Sequence, residues 1–200
     1  FVEGMPKPQV ACRLTARADG RILAETSREA GVFPRPAHYV RLDPASLALE
    51  RDGQPFLPLA LGRCRVDHLL EAKGHGFNTV WFAPDLLTAE SRLEADRYLQ
   101  ALADAEMAAI VDFGPLQHAV ERKKLPPATV QENIRTFIER YRTHPAIIMS
   151  QNLDEPNCVL ENGEAVGAAA ALTAMHRFIK ELDPYRPVFV NWSPRVDKWD

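Results

Sequence analysis

The residues best placed to do chemistry are two adjacent carboxylates, Asp154 and Glu155, which close the stretch from His144 to Asn157. Ala146-Ile147-Ile148-Met149 is a short continuous apolar run, the pattern of a strand buried on both faces. Pro156 biases Glu155 away from helical angles, so the pair is expected on the loop leaving that strand. Chemistry in sheets of this kind collects at the carboxyl ends of the strands, which makes Glu155 the leading candidate. Three other chemistries can use such a strand, and each lacks its partners here. A nucleotide hydrolase with an acidic strand end needs a Gly-x-x-x-x-Gly-Lys-Ser/Thr loop, and Gly74-His75-Gly76 has neither the Lys nor the spacing. A metal-dependent barrel hydrolase needs His-x-His after its first strand, where Arg63-Cys64-Arg65 stands. A dehydrogenase needs Gly-x-Gly-x-x-Gly after a strand, and the chain has none.

The elements that position this pair come in two kinds. Residues 1–54 read as a β-rich segment, either the tail of a sandwich module or a cap on the domain after it. Val10, Cys12, Leu14 and Ala16 alternate with more polar neighbours, and Asp19-Gly20 supplies a hairpin turn before Ile22-Leu23. Tyr39, Val40 and Leu42 suggest a short strand, and Leu47 to Leu49 with Asp52-Gly53 a second hairpin.

From residue 55 the pattern alternates strand and helix. Strands are expected at Phe56–Leu61, Phe77–Ala83, Met107–Val111, the run before Asp154, and Pro187–Val190. Four helical segments separate them. One carries Val66, Leu69 and Leu70; another, from about Thr88, carries Leu93, Leu99, Leu102 and Ala103. The third puts Val130, Ile134, Phe137, Ile138 and Tyr141 on one face, with Thr129 and Glu132 expected as a capping box. The fourth carries Leu172, Met175, Ile179 and Leu182. Such alternation means crossover connections and a parallel sheet, either doubly wound or part of a (β/α)8 barrel. A full barrel takes about 250 residues. The expected fold is therefore α/β: a partial (β/α)8 TIM barrel of about five strands over residues 55–200, preceded by the short β segment.

Composition narrows the partners. With 200 residues, 46% apolar, 26% charged and a formal net charge of -3, the chain has ample core material. It has no basic patch interleaved with aromatics, so nucleic acid is not an expected partner. Arg122-Lys123-Lys124 reads as a solvated loop. No apolar run approaches the roughly 20 residues of a membrane span. Cys12, Cys64 and Cys158 are widely spaced, do not suit a structural zinc site, and are expected as small buried hydrophobes. No metal or cofactor is expected. The chain opens at Phe1 with neither initiator Met nor signal-peptide pattern, as a processed or excised piece would.

Three motifs taken together resemble the clan A glycoside hydrolases, a large set of (β/α)8 sugar hydrolases. Arg51-Asp52-Gly53-Gln54-Pro55-Phe56 is similar to the hairpin leading into their first strand. Gly76-Phe77-Asn78-Thr79-Val80-Trp81 is similar to the start of their second. His144-Pro145-Ala146-Ile147 leads to Asp154-Glu155-Pro156, where these families show Asn-Glu-Pro. The likeness spans Leu47 to Trp192. It implies a carbohydrate substrate and hydrolysis of O-glycosidic bonds, with Glu155 as general acid/base. It also implies a nucleophilic carboxylate after strand seven, in the rest of the barrel beyond residue 200, so that this piece alone holds half of a catalytic pair and is inactive. In a retaining enzyme the two carboxyl groups stand about 5 to 5.5 Å apart. Clan members with β modules ahead of the barrel are often exported, which implies an extracellular or periplasmic setting.

The chain departs from the pattern at Asp154. Asn there can donate or accept, whereas an ionised Asp only accepts; a carboxylate close to Glu155 would help it hold a proton. The same departure suits a catalytically inactive carbohydrate-binding or structural barrel, which is the rival reading. Asp154 is expected to contact substrate, or else to form an ion pair or cap its strand. Trp81 and Trp192 are expected as stacking platforms for a sugar ring or as parts of a core layer. Asp112 binds a sugar hydroxyl or pairs with Arg63, and Asn191 lines the same mouth. Asn78, at the opposite end of its strand, reads as structural.

Overall fold

Asp-Gly pairs dictate the two hairpins, because both residues of a tight type I′ turn take positive φ and these residue types tolerate it. Asp19 and Gly20 have φ of 49° and 74°, and Asp52 and Gly53 have 52° and 84°. The computed structural model describes residues 9–31, 36–84, 88–121, 125–154 and 165–191. It divides into two compact units, Phe1–Arg35 and Pro36–Asp200. The first holds the antiparallel hairpin β1 (Gln9–Ala18) and β2 (Arg21–Gly31). Cys12 is exposed on it, and Cys64 in the second unit is half-buried. Neither is the fully buried hydrophobe expected, and Cys158 lies outside the described residues.

The second unit begins with a small antiparallel sheet, β3 (Val40–Leu42), β4 (Leu49–Arg51) and β5 (Gln54–Pro55). These strands, which the sequence pattern reads as part of a β-rich segment over residues 1–54, pack against the strand–helix region. Val40 is buried against Ala108, Ile110, Ile148 and Met149, its N–H donates to the Tyr185 carbonyl, and Arg51 Nη2 donates to the Pro145 carbonyl at 3.0 Å.

Beyond this small sheet the alternation is as expected: β6 (Ala60–Gly62), α1 (Leu69–Gly74), β7 (Thr79–Phe82), α2 (Ala89–Asp104), β8 (Ala108–Asp112), α3 (Gly114–Glu121), α4 (Pro127–Tyr141), β9 (Ile147–Asp154), α5 (Ala165–Leu182) and β10 (Val188–Asn191). The strand β6 is shorter than the apolar run Phe56–Leu61, since Pro58 offers no N–H to a ladder. Helix α3 has no counterpart in the sequence reading. Leu93 is 48% exposed rather than part of the α2 stripe, while Leu99 and Leu102 are fully buried.

Strands β6 to β10 form one parallel sheet in sequential order. Leu69, Leu99, Leu102, Ile134, Phe137, Ile138 and Ile179, from α1, α2, α4 and α5, all join one core with Val80, Ala109 and Val111 of the sheet. Ala108, Ile110, Ile148 and Met149 form a separate cluster on the other face, joined by Val40 and no helical residue. A doubly wound sheet reverses its strand order and carries helices on both faces. Sequential order with helices on one face is the winding of a barrel, and the fold is a partial (β/α)8 TIM barrel. Val40 and the β3–β4–β5 sheet cover its amino end.

Candidate active site at the mouth of the partial barrel

The barrel strands change character at their carboxyl ends. Ala109, Ile110 and Val111 are apolar, and Asp112 comes next; Ile147 to Met149 are apolar, and Ser150-Gln151-Asn152 come next, all three buried. Around these ends lies a cavity of about 240 Å³ lined by Gly62, Arg63, Trp81, Ala83, Asp112, Gln151, Asp154 and Asn191. Every one of the five strands contributes.

Asp154 reaches this cavity through an irregularity. Phe189 pairs with Gln151 and Asn191 with Asp154, so three steps along β9 face two along β10. Strict alternation from Gln151 would have turned Asp154 to the helical face. The added residue brings it back beside Gln151, whose Nε2 donates to Asp154 Oδ1 at 3.1 Å. Asn191 Nδ2 donates to the same oxygen at 2.7 Å. Asn152 points the other way, donating to the Leu172 carbonyl at 3.0 Å and accepting from Gln117 Nε2 at 2.8 Å.

Asp112 is held by the turn into α3: its Oδ1 accepts the Gly114 N–H at 2.8 Å. A Cβ on Gly114 would stand 2.9 Å from that oxygen, so any larger residue there would have to displace the carboxylate. Arg63 pairs neither with Asp112 nor with any other described residue. Trp81 lines the cavity and also packs on Phe189, with ring centroids 6.1 Å apart. Its Nε1 is buried with no hydrogen-bond partner among the described residues. Burial pushes the thiol of Cys64, next to Arg63, above its ordinary range, and the charges of Asp67 and Glu71 push it further.

Of the residues singled out from sequence, Asp154, Trp81, Asp112 and Asn191 meet around one cavity. Glu155 and Trp192 lie outside the described residues, as does the Arg122–Lys124 run. Gln151 and Arg63 were not anticipated as lining residues. Gln151 could have been suspected as a polar residue inside an apolar strand, but Arg63 carries no such signal. Among the described residues, no group of acidic, His and Cys side chains could hold a metal ion. Among them too, no helix is long and apolar enough to cross a membrane.

Comparison with known proteins agrees with this geometry. The family model described as "Glycosyl hydrolases family 2, TIM barrel domain" matches residues 89–198, more than half of the chain. This chain belongs to that family. No curated protein matches this family 2 TIM-barrel chain in sequence. Among solved structures, a glycosyl hydrolase family 2 member from Bacteroides cellulosilyticus is similar with TM-score 0.52 and 17% identity, over 92% of this chain and 24% of that one. A glycoside hydrolase family 5 mannosidase from Rhizomucor miehei is similar with TM-score 0.61 and 13% identity, over 78% of this chain and 56% of that one. A family 5 glycoside hydrolase from Bacteroides vulgatus gives TM-score 0.58 and 15% identity, over 76% and 38%. At these identities the structural likeness shows the fold. The family 2 domain described here spans from about a quarter to just over half the length of those chains.

Proposed function

We propose that this domain hydrolyses O-glycosidic bonds, with Glu155 as general acid/base and a nucleophilic carboxylate supplied from beyond residue 200. The observation that carries this reading is the polar cavity at the carboxyl ends of β6 to β10, to which Asp154, the immediate neighbour of Glu155, contributes its side chain. Membership of a glycosyl hydrolase family supports the chemistry. In the reaction the Glu155 carboxyl gives its proton to the departing sugar oxygen as the nucleophilic carboxylate bonds to the anomeric carbon and the glycosidic bond breaks. The resulting Glu155 carboxylate then takes a proton from the incoming water, whose oxygen bonds to the anomeric carbon and displaces the nucleophile, which restores both carboxyl groups. In this reading Asp112 and Asn191 hold sugar hydroxyls, Asp112 as acceptor and Asn191 as donor or acceptor. Trp81 offers an aromatic face beside them.

The test is Glu155→Gln in the intact protein, assayed on aryl glycosides with good and poor leaving groups. Loss of a general acid costs about 10²- to 10⁴-fold where the leaving oxygen needs the proton, and far less where it does not. Equal losses on both substrates would remove Glu155 from the role. A second reading, a barrel that binds carbohydrate without turnover, draws on Asp154 standing where related sequences carry Asn. It predicts sugar binding with no hydrolysis of either aryl glycoside by the parent protein.

A further inference from the structure

We propose that Arg63 selects sugars carrying an anionic group, a carboxylate or a sulfate ester, at the mouth of this barrel. The inference rests on the glycosidase reading of the cavity and extends it to a substrate class. Among the described residues of the lining Arg63 is the one cation; it is exposed, and it makes no hydrogen bond or ion pair with any described residue. Two carboxylates share the cavity with it, and each is engaged by other donors. Asp154 Oδ1 takes N–H groups from Gln151 and Asn191, and Asp112 Oδ1 takes the Gly114 N–H. The acids are thus held by amides, and the guanidinium with its five donors is left uncommitted. A planar fork of this kind matches a carboxylate or sulfate in a way that a neutral hydroxyl does not.

The backbone points the same way. Arg63 has φ of 52°, in the left-handed region that costs a residue with a Cβ. Three of the other described non-glycine residues with positive φ, Asp19, Leu47 and Asp52, lie in hairpin connections, and Glu106 comes just after the end of α2. At the mouth the glycine is one position early. A Cβ on Gly62 would meet nothing within 4 Å and its φ is not left-handed, whereas the next residue, where glycine would relieve strain, is an arginine. A long cation at such a strained position points to a use for its side chain.

The experiment measures calorimetric binding of three probes to the intact protein: a hexuronate-terminated disaccharide, a sulfated counterpart and a neutral hexose counterpart. The parent is compared with Arg63→Gln and Arg63→Gly, the second of which relieves the backbone and keeps the domain folded. A charge-assisted bidentate contact is expected to favour an anionic probe by about 10-fold or more, with the preference weakening as salt rises. Both variants should lose the preference for the anionic probe over the neutral one. Whichever anion is bound more tightly identifies the group selected. Equal binding of all three probes by the parent, or a preference that survives in both variants, overturns the role of Arg63 and leaves the carbohydrate site standing. Failure of every probe to bind overturns the carbohydrate reading, and this inference with it.

Discussion

The two ends of the same five strands treat their polar groups in opposite ways. At the amino end the chain satisfies them internally. Asn78 Oδ1 accepts the Leu59 N–H and the Thr79 hydroxyl, each at 2.8 Å, while its Nδ2 donates to the Leu57 carbonyl at 2.9 Å. Arg186 is fully buried and donates to the carbonyls of Ile147, Arg142 and His144 and to Asp183. Lys180 Nζ donates to the carbonyls of Pro184 and Arg186. At the carboxyl end several groups stay open: Arg63 has no partner among the described residues, the Trp81 indole N–H has none, and Asp154 is exposed with one oxygen serving two donors. Arg63 and Asp154 are exposed and open to water, whereas buried donors are almost always paired, so the unmatched indole N–H is the group that marks this end as the one open to a ligand.

The strongest way to break this contrast is Arg186→Met. The substitution keeps most of the volume but strands Asp183 and three carbonyls that the guanidinium now joins. Removing one partner of a buried, fully bonded charge costs about 3–5 kcal/mol, which urea denaturation of the intact protein would show as a large fall in midpoint at unchanged slope. A loss under about 1 kcal/mol would mean that the amino end is no more committed than the mouth.

How much of this was legible in the sequence depends on whether the signal is local. The Asp-Gly hairpins, the apolar run of β9 and the stripe from Val130 to Tyr141 were readable because turn chemistry and periodicity belong to neighbouring residues. The cap of that stripe is different from the one expected. Helix α4 starts with Pro126 as its N-cap and Pro127 as its first residue, and no side chain caps it, so Thr129 and Glu132 do not form the expected box. Proline preset for the first turn begins the helix ahead of the threonine. The box that does form joins Thr88 and Ser91 on α2, with serine where the usual pattern has Glu or Gln. Two features of the site were out of reach. The orientation of Asp154 depends on an added residue in the β9–β10 register, and the idleness of Arg63 depends on what Gln151, Asn191 and Gly114 do with the nearby acids. Both are properties of strands brought together, not of any stretch of chain.

A second, smaller effect sharpens the comparison through pH. His144 sits at the amino end, where its carbonyl accepts from Arg186 Nη2 and its Nδ1 from the Ala146 N–H. Burial holds its imidazole below the ordinary range, the charges of Arg186 and His38 push it the same way, and Asp96 opposes them. The folded state therefore resists a proton that the unfolded chain takes up near its usual value of about 6.5. Stability from this group is complete above that pH and is lost as pH falls through and below it, at no more than about 1.4 kcal/mol per pH unit. His144→Asn keeps a side-chain acceptor but cannot charge. The difference in denaturation midpoint between parent and variant should be constant above neutrality and shift towards the variant on acidification. A constant difference down to pH 5 would exclude this coupling.

The smallest effect is expected at the mouth, from Trp81→Phe. Trimming a buried aromatic ordinarily costs stability, through lost contacts and the space left behind. Here the group removed is also a buried N–H without an acceptor, and leaving such a donor unpaired costs about 1–3 kcal/mol. The two terms oppose each other, so the variant should unfold within about 1 kcal/mol of the parent. Phenylalanine keeps a ring against Phe189, so that contact survives. A loss comparable to the Arg186→Met effect would mean that the indole is built into the core as firmly as the groups at the amino end. Near-neutral stability together with weaker sugar binding would place the indole among the groups that the mouth holds in reserve for a ligand, since the fold would then lose nothing by its absence and the site would.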